Sequence, residues 1–206
     1  MVELKLGATS LDVCKVIVSH HPIKEIKVIS HKVGLNWSQK YPGPNGKKDH
    51  FLEAYSHMTP PINEYLFSEE EFLSSDLREI SQELAEDEVL FVVSKVKTSD
   101  GSYSHIPMMN FHPESNFGLS EIRTSLCRAH PGRSGALLNS GRFYHYYGDF
   151  LLNQRGWEAF LGYFLIPFNL VHPGYVGYRL VDGYSTLRLT ADKKYKTKIP
   201  EVIEIL

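Results

Sequence analysis

Three runs place small or charged polar residues inside β-favouring sequence, where burial alone would select Val or Ile. They are Met108-Met109-Asn110-Phe111-His112, Asn139-Ser140-Gly141-Arg142-Phe143-Tyr144-His145 and Val181-Asp182-Gly183-Tyr184-Ser185-Thr186-Leu187-Arg188. Side chains at strand ends converge on one pocket even when they are far apart in sequence. Two chemistries are open to this set. Ser140, Arg142, His145 and Arg188 supply polar and charged groups on which something polar could dock. Asn110 and His112, joined by His145, Asp182 or His105, would supply oxygen and imidazole donors to a metal, and imidazole suits Zn²⁺ or Mn²⁺ better than Mg²⁺.

Each residue also has a purely structural reading. Ser140-Gly141 fits a β-bulge or tight bend, and His145, between two tyrosines, fits a histidine satisfied by a backbone carbonyl. Asp182-Gly183 is a hairpin-turn signal between two strands. Arg188 alternates with Leu187 and Leu189, which would turn it away from the buried side into solvent. His112 before Pro113 fits an ordinary strand end.

The elements that must position these residues follow from periodicity. Residues 1–6 alternate as a strand, residues 9–18 have helical spacing opened by a cap at Ser10, and residues 23–32 alternate again. Residues 41–48, rich in Pro, Gly and Asn-Gly, predict an exposed loop. Residues 68–84 predict one acidic surface helix, and residues 89–96 a strand buried on both faces. Strands are then expected over 106–112, 136–147, 177–181, 185–191 and 199–206, with helices over 119–128 and 151–164. This order fits an α+β fold, one sheet with helices packed on one face and the other face left for a ligand. We expect a single domain over 1–206, with an accessory α+β segment to residue 88 and a motif-bearing core over 89–206.

Composition narrows the functional classes. The 206 residues are 42% hydrophobic and 22% charged, as in a globular protein, and the net charge of -2 argues against coating duplex DNA by bulk electrostatics. Local basic character persists: Arg123, Arg128, Arg133 and Arg142 lie in a stretch without Asp or Glu from Ile122 to Tyr147. Tyr144 and its aromatic neighbours offer stacking platforms there, although such a stripe also serves core packing. Lys193 and Lys194 open a second basic run able to track a phosphate backbone. Cys14 and Cys127, with no paired spacing, suggest buried free thiols in a reducing compartment. The absence of a signal-like start or a membrane-length apolar run predicts a cytoplasmic protein without a membrane partner.

The run Ser140-Gly141-Arg142-Phe143-Tyr144-His145 resembles the second motif of archaeo-eukaryotic primases and primase-polymerases, in which a Ser and a His face the nucleotide. Val181-Asp182 followed by Leu187-Arg188-Leu189-Thr190 is similar to their third motif, and the short length with a degraded metal site points to the primase 1D-like branch. The resemblance spans about residues 106–190 and implies an RRM-like antiparallel sheet. It also implies nucleotide or phosphate binding by Ser140, Arg142, His145 and Arg188, a catalytic and metal-binding role for Asp182, and Mg²⁺ or Mn²⁺ as cofactor of an active enzyme. The chain departs from the family at the first motif, where Asn110 and His112 occupy the two acidic positions.

That departure bears on chemistry, because two-metal phosphoryl transfer needs carboxylates to hold the cations. The expected function is therefore binding of DNA, RNA or a nucleotide, with weak or no polymerisation. One alternative is an active primase-polymerase in which Glu114 or Asp149 joins Asp182. Another is a non-enzymatic subunit that uses its aromatic surface to bind a protein partner in a nucleic-acid-processing or defence assembly.

Overall fold

The computed structural model describes residues 3–32, 61–114, 117–141, 143–166, 169–191 and 197–206. The predicted loop over 41–48 lies outside them. Helix α1 (Ser10–His20) begins one residue earlier than the Ser10 cap would place it. Thr9 and Asp12 form a reciprocal capping box, and Val13, Cys14, Ile17 and Val18 are buried. β1 (Ile23–Lys32) coincides with the predicted alternation. Residues 3–6 form no strand; the chain instead runs beside the C-terminal strand, where Gly7 N–H donates to the Val202 carbonyl at 2.9 Å.

β2 (Asn63–Ser68) leads into two short helices, α2 (Glu69–Ser74) and α3 (Arg78–Glu83), in place of one long helix. The break has a local cause: the Ser74 and Ser75 hydroxyls donate to backbone carbonyls of Glu70 and Phe72, competing with continued helix. The apolar face survives, with Phe72 and Leu77 buried. β3 (Glu88–Val93), β4 (Lys95–Thr98), β5 (Tyr103–His105) and β6 (Met108–Phe111) follow. Beyond α4 (Leu119–Ala129), the strand expected over 136–147 is a hairpin of β7 (Gly135–Asn139) and β8 (Tyr144–Gly148). After α5 (Gln154–Tyr163), the strand expected over 177–181 is helix α6 (Pro173–Asp182), and β9 (Thr186–Arg188) and β10 (Glu201–Ile205) complete the chain.

The fold is α+β with antiparallel sheets, and its strands divide between two sheets rather than one. In the larger, β1 lies between β2 on one side and β3 and β4 on the other; β9 adds to β3 and β5 to β4. The smaller has the order β10-β7-β8-β6. Its alternating residues enter two cores. Met108, Ala136, Leu138 and Tyr147 join Ile17, Val28, Phe72 and Leu90 in one, while Met109, Phe111, Leu137 and Tyr146 pack with Ile122, Trp157, Phe160 and Val176 of α4, α5 and α6 in the other. The smaller sheet is thus covered on both sides, and the ligand face expected of a one-sided sheet is occupied by core.

Leu138 is fully buried where the two sheets share a core. Leu138→Ala should cost about 2–5 kcal/mol of folding stability, read as a lower urea midpoint. Loss confined to the second half of the transition would show that the sheets do not unfold together.

Candidate functional site

Asn110, His112, Ser140 and His145 lie at the ends of β6 and β8 and at the hairpin tip, and Arg188 reaches that tip from β9. Antiparallel pairing sets Asn110 opposite His145, on the side facing the inter-sheet core. His145 is buried, and the Asn110 Oδ1 is buried without a hydrogen-bond partner. At the tip, the Ser140 N–H and hydroxyl both donate to the Phe143 carbonyl, at 3.0 and 2.9 Å. The Gly141 N–H donates to Asn139 Oδ1 at 2.8 Å, and Gly141 has φ of 104°, a conformation that disfavours a side chain. Of the two structural readings of Ser140-Gly141, the tight bend holds and the β-bulge does not. His112 lies flat on Phe143, with ring centroids 3.5 Å apart, so it contacts the same tip.

Arg188 departs from its expected direction. It is 5% exposed, and its guanidinium donates to the carbonyls of Thr190 at 2.6 Å, Lys198 at 2.7 Å and Ser140 at 3.0 Å. The alternation with Leu187 and Leu189 holds, but both sides of β9 are interior, so facing away from one core does not mean facing water.

Asp182 ends a helix rather than a strand. His172 caps α6 by accepting from the Gly174 N–H at 3.1 Å, Pro173 occupies the first turn, and Gly183 closes the helix in the left-handed conformation with φ of 74°. Asp182-Gly183 is consequently a helix terminus, not a hairpin turn. The helix places Arg179 one turn before Asp182, and the two pair at 2.8 Å. Arg179 also donates to the Thr186 hydroxyl at 2.5 Å and lies over the Tyr175 ring. Burial raises the Asp182 carboxyl above its usual range, against the opposing pull of Arg179. The buried Tyr175 hydroxyl is pushed up by desolvation and partly drawn back by Arg179, the Ser185 hydroxyl and the Asn110 backbone. Arg179 thus joins Asp182 to Thr186 and to the Tyr175 ring. Sequence reading missed Tyr175 and Arg179 because Tyr175-Val176-Gly177-Tyr178 favours strand; the Pro173 start and Gly183 stop were the available helix signals.

The remaining candidates are dispersed. Arg123 pairs with Glu204 of β10 at 3.2 Å, which offsets part of the local basic excess, while Arg128 is exposed and Arg133 is exposed over the Phe150 ring. Tyr144 is half-buried against the helix-side core, and Tyr146 and Tyr147 are interior, so most of the supposed stacking stripe is packing. Arg142, Lys193 and Lys194 lie outside the described residues. Cys14 is buried, which pushes its thiol up, whereas Cys127 is exposed, contrary to expectation.

The candidate donors do not gather around one metal position. Asp149 is held at the far end of β8, accepting from His20 at 2.8 Å and His21 at 3.0 Å, and the Glu114 N–H donates to the Asn169 carbonyl at 3.0 Å. Among the described residues, no group of three or more His, Cys, Asp or Glu is arranged to hold a metal ion. His105 belongs to a separate buried chain: the Ser185 N–H donates to Ser94 Oγ at 2.8 Å, Ser94 lies 3.3 Å from His105 Nδ1, and His105 Nε2 lies 2.9 Å from Gln154 Oε1. Because the Gln154 oxygen can only accept, the Nε2 carries the proton and Ser94 donates to Nδ1. The imidazole stacks on Trp157 at 4.5 Å.

Fold and site together define an α+β protein of two antiparallel sheets that gathers polar residues at a hairpin tip and carries a separate helix-borne carboxylate paired with Arg179. A family model described as archaeo-eukaryotic primase 1D-like matches residues 68–201, well over half the chain and all three motif runs. The chain belongs to this family. No curated protein and no solved structure gives a significant match. No helix among the described residues is long and apolar enough to cross a membrane.

Burial lowers the His105 pKa from its ordinary 6.5, so the folded protein holds this imidazole neutral. The unfolded chain takes up the proton first as pH falls, and the stability present above about pH 6.5 is then lost. His105→Gln should lower stability at pH 7.5 by about 1–3 kcal/mol and flatten the decline between pH 7.5 and 5.5, measured by guanidinium melts at each pH.

Proposed function

We propose that this primase-like protein binds nucleotide or single-stranded nucleic acid at the β7–β8 hairpin tip, with template-directed nucleotidyl transfer weak or absent. The observation that carries this reading is the pairing of Asn110 with His145 beside a tip contacted by His112, at positions where the family pattern has two carboxylates. Ser140 is the described group proposed to face the ligand, with the buried Asn110 and His145 behind it and Arg142, Lys193 and Lys194 as phosphate contacts. Lys198, half exposed, adds a described cation next to Gly141: a Cβ built on that glycine would lie 3.7 Å from Lys198 Cβ.

The residues present do not fit a pair of Mg²⁺ or Mn²⁺ ions. Those ions favour anionic oxygen ligands, whereas Asn110 offers a neutral amide, His112 an imidazole stacked on Phe143, and Asp182 a carboxylate already paired with Arg179. Binding on this reading is independent of divalent metal. The protein-partner alternative loses part of its aromatic surface, because Tyr146 and Tyr147 are interior.

Fluorescence anisotropy with a labelled single-stranded oligonucleotide tests the proposal. Affinity should fall linearly in log–log form with salt, since each phosphate contact contributes roughly one unit of slope, and chelation of divalent metal should leave it unchanged. A salt-insensitive interaction, or none at low salt, would favour the protein-partner reading. A primer-extension assay with Mg²⁺ and Mn²⁺ decides activity: no incorporation is expected, and incorporation abolished by Asp182→Ala would establish the active enzyme instead.

A further inference from the structure

We infer that Arg188 is a positioning residue, which clamps the hairpin tip and the segment entering β10 onto β9, and does not itself contact ligand phosphate. Its guanidinium binds three backbone carbonyls belonging to three stretches of chain, at Thr190, Lys198 and Ser140. The first is fixed to the larger sheet, because the Thr190 hydroxyl accepts from the Leu90 N–H at 3.0 Å. The third belongs to the turn that Ser140 closes on Phe143, and Phe143 carries the stacked His112. One cation therefore ties the tip of the smaller sheet to the edge of the larger.

Geometry makes this an arginine task. A planar fork of fixed N–H directions can reach several separated carbonyls at once, whereas an ammonium is a single point donor on a flexible stem. With Arg188 5% exposed, a phosphate has little access to it unless the tip moves away. A hairpin turn held only by its own ladder samples open forms readily. Held through the Ser140 carbonyl, it keeps Ser140, Phe143 and the neighbouring Lys198 backbone in register with His145.

The functional consequence rests on the proposed binding at the tip; the clamp itself does not. Hydrogen exchange on the wild-type chain tests the clamp directly: the Ser140 amide should be protected to a degree comparable with β7 and β8. Exchange at the rate of an exposed turn would overturn it. In Arg188→Lys, which keeps the charge but not the fork, exchange at residues 140–144 should rise about tenfold or more with the strand interiors unchanged. Unchanged exchange at the tip would also overturn it.

The binding arm separates positioning from direct contact. Arg188→Gln should weaken the labelled oligonucleotide while leaving the salt slope as in wild type. A slope smaller by about one unit would mark Arg188 as a phosphate ligand. If wild type binds no oligonucleotide, the proposed function fails, and the exchange measurements still decide the clamp.

Discussion

Burial of the four-stranded sheet on both faces governs where this protein can place polar chemistry. Strands β6, β7 and β8 send alternate residues into the inter-sheet core and into the core beneath α4, α5 and α6, so neither surface of the sheet is left for a ligand. Polar side chains within such a sheet must be satisfied locally or lie near its ends. Asn110 and His145 occupy the end nearest the hairpin tip; Asp149, at the other end of β8, is taken by His20 and His21. The ends of the strands, not the face of the sheet, are the places where function fits.

The same constraint explains which parts were legible in the sequence. β1 and α1 were readable because their periodicity agrees with simple two-sided burial and, for α1, with a strong cap. The hairpin was readable as polar residues out of place, but not as a turn, because Phe143 to Tyr147 continues the apolar run in the same β-favouring style. Helix α6 was misread for a comparable reason: Tyr, Val and Gly favour strand, and tertiary packing of Val176 overrides that preference. The direction of Arg188 was illegible in principle, since alternation identifies the side of a strand and cannot say what covers that side.

Misreading α6 also hid a pairing that changes the role open to Asp182. On a strand, the carboxylate would have stood alone beside the other motifs. On a helix, the i, i+3 relation to Arg179 is nearly automatic, and the Arg179 side chain reaches Thr186 and Tyr175 as well. The carboxylate anchors α6 to β9 through this network. Its partial burial is tolerated because Arg179 compensates the charge, and breaking that pair would leave Asp182 a buried group with a strongly reduced tendency to ionise.

On the proposed reading, Asn110 and His112 at the first-motif positions have a consequence for any phosphate-bearing ligand at the hairpin tip. Carboxylates there help an anion only when cations sit between; without metal, each would repel a phosphate by on the order of 3 kcal/mol at about 6 Å in a partly screened environment. Asn110 and His112 carry no carboxylate charge, which removes that repulsion while keeping groups able to hydrogen bond. The substitutions that weaken the case for two-metal catalysis are thus the same ones that favour metal-free binding of an anionic ligand. On the proposed reading, loss of synthesis and retention of binding would be, in electrostatic terms, a single change rather than two.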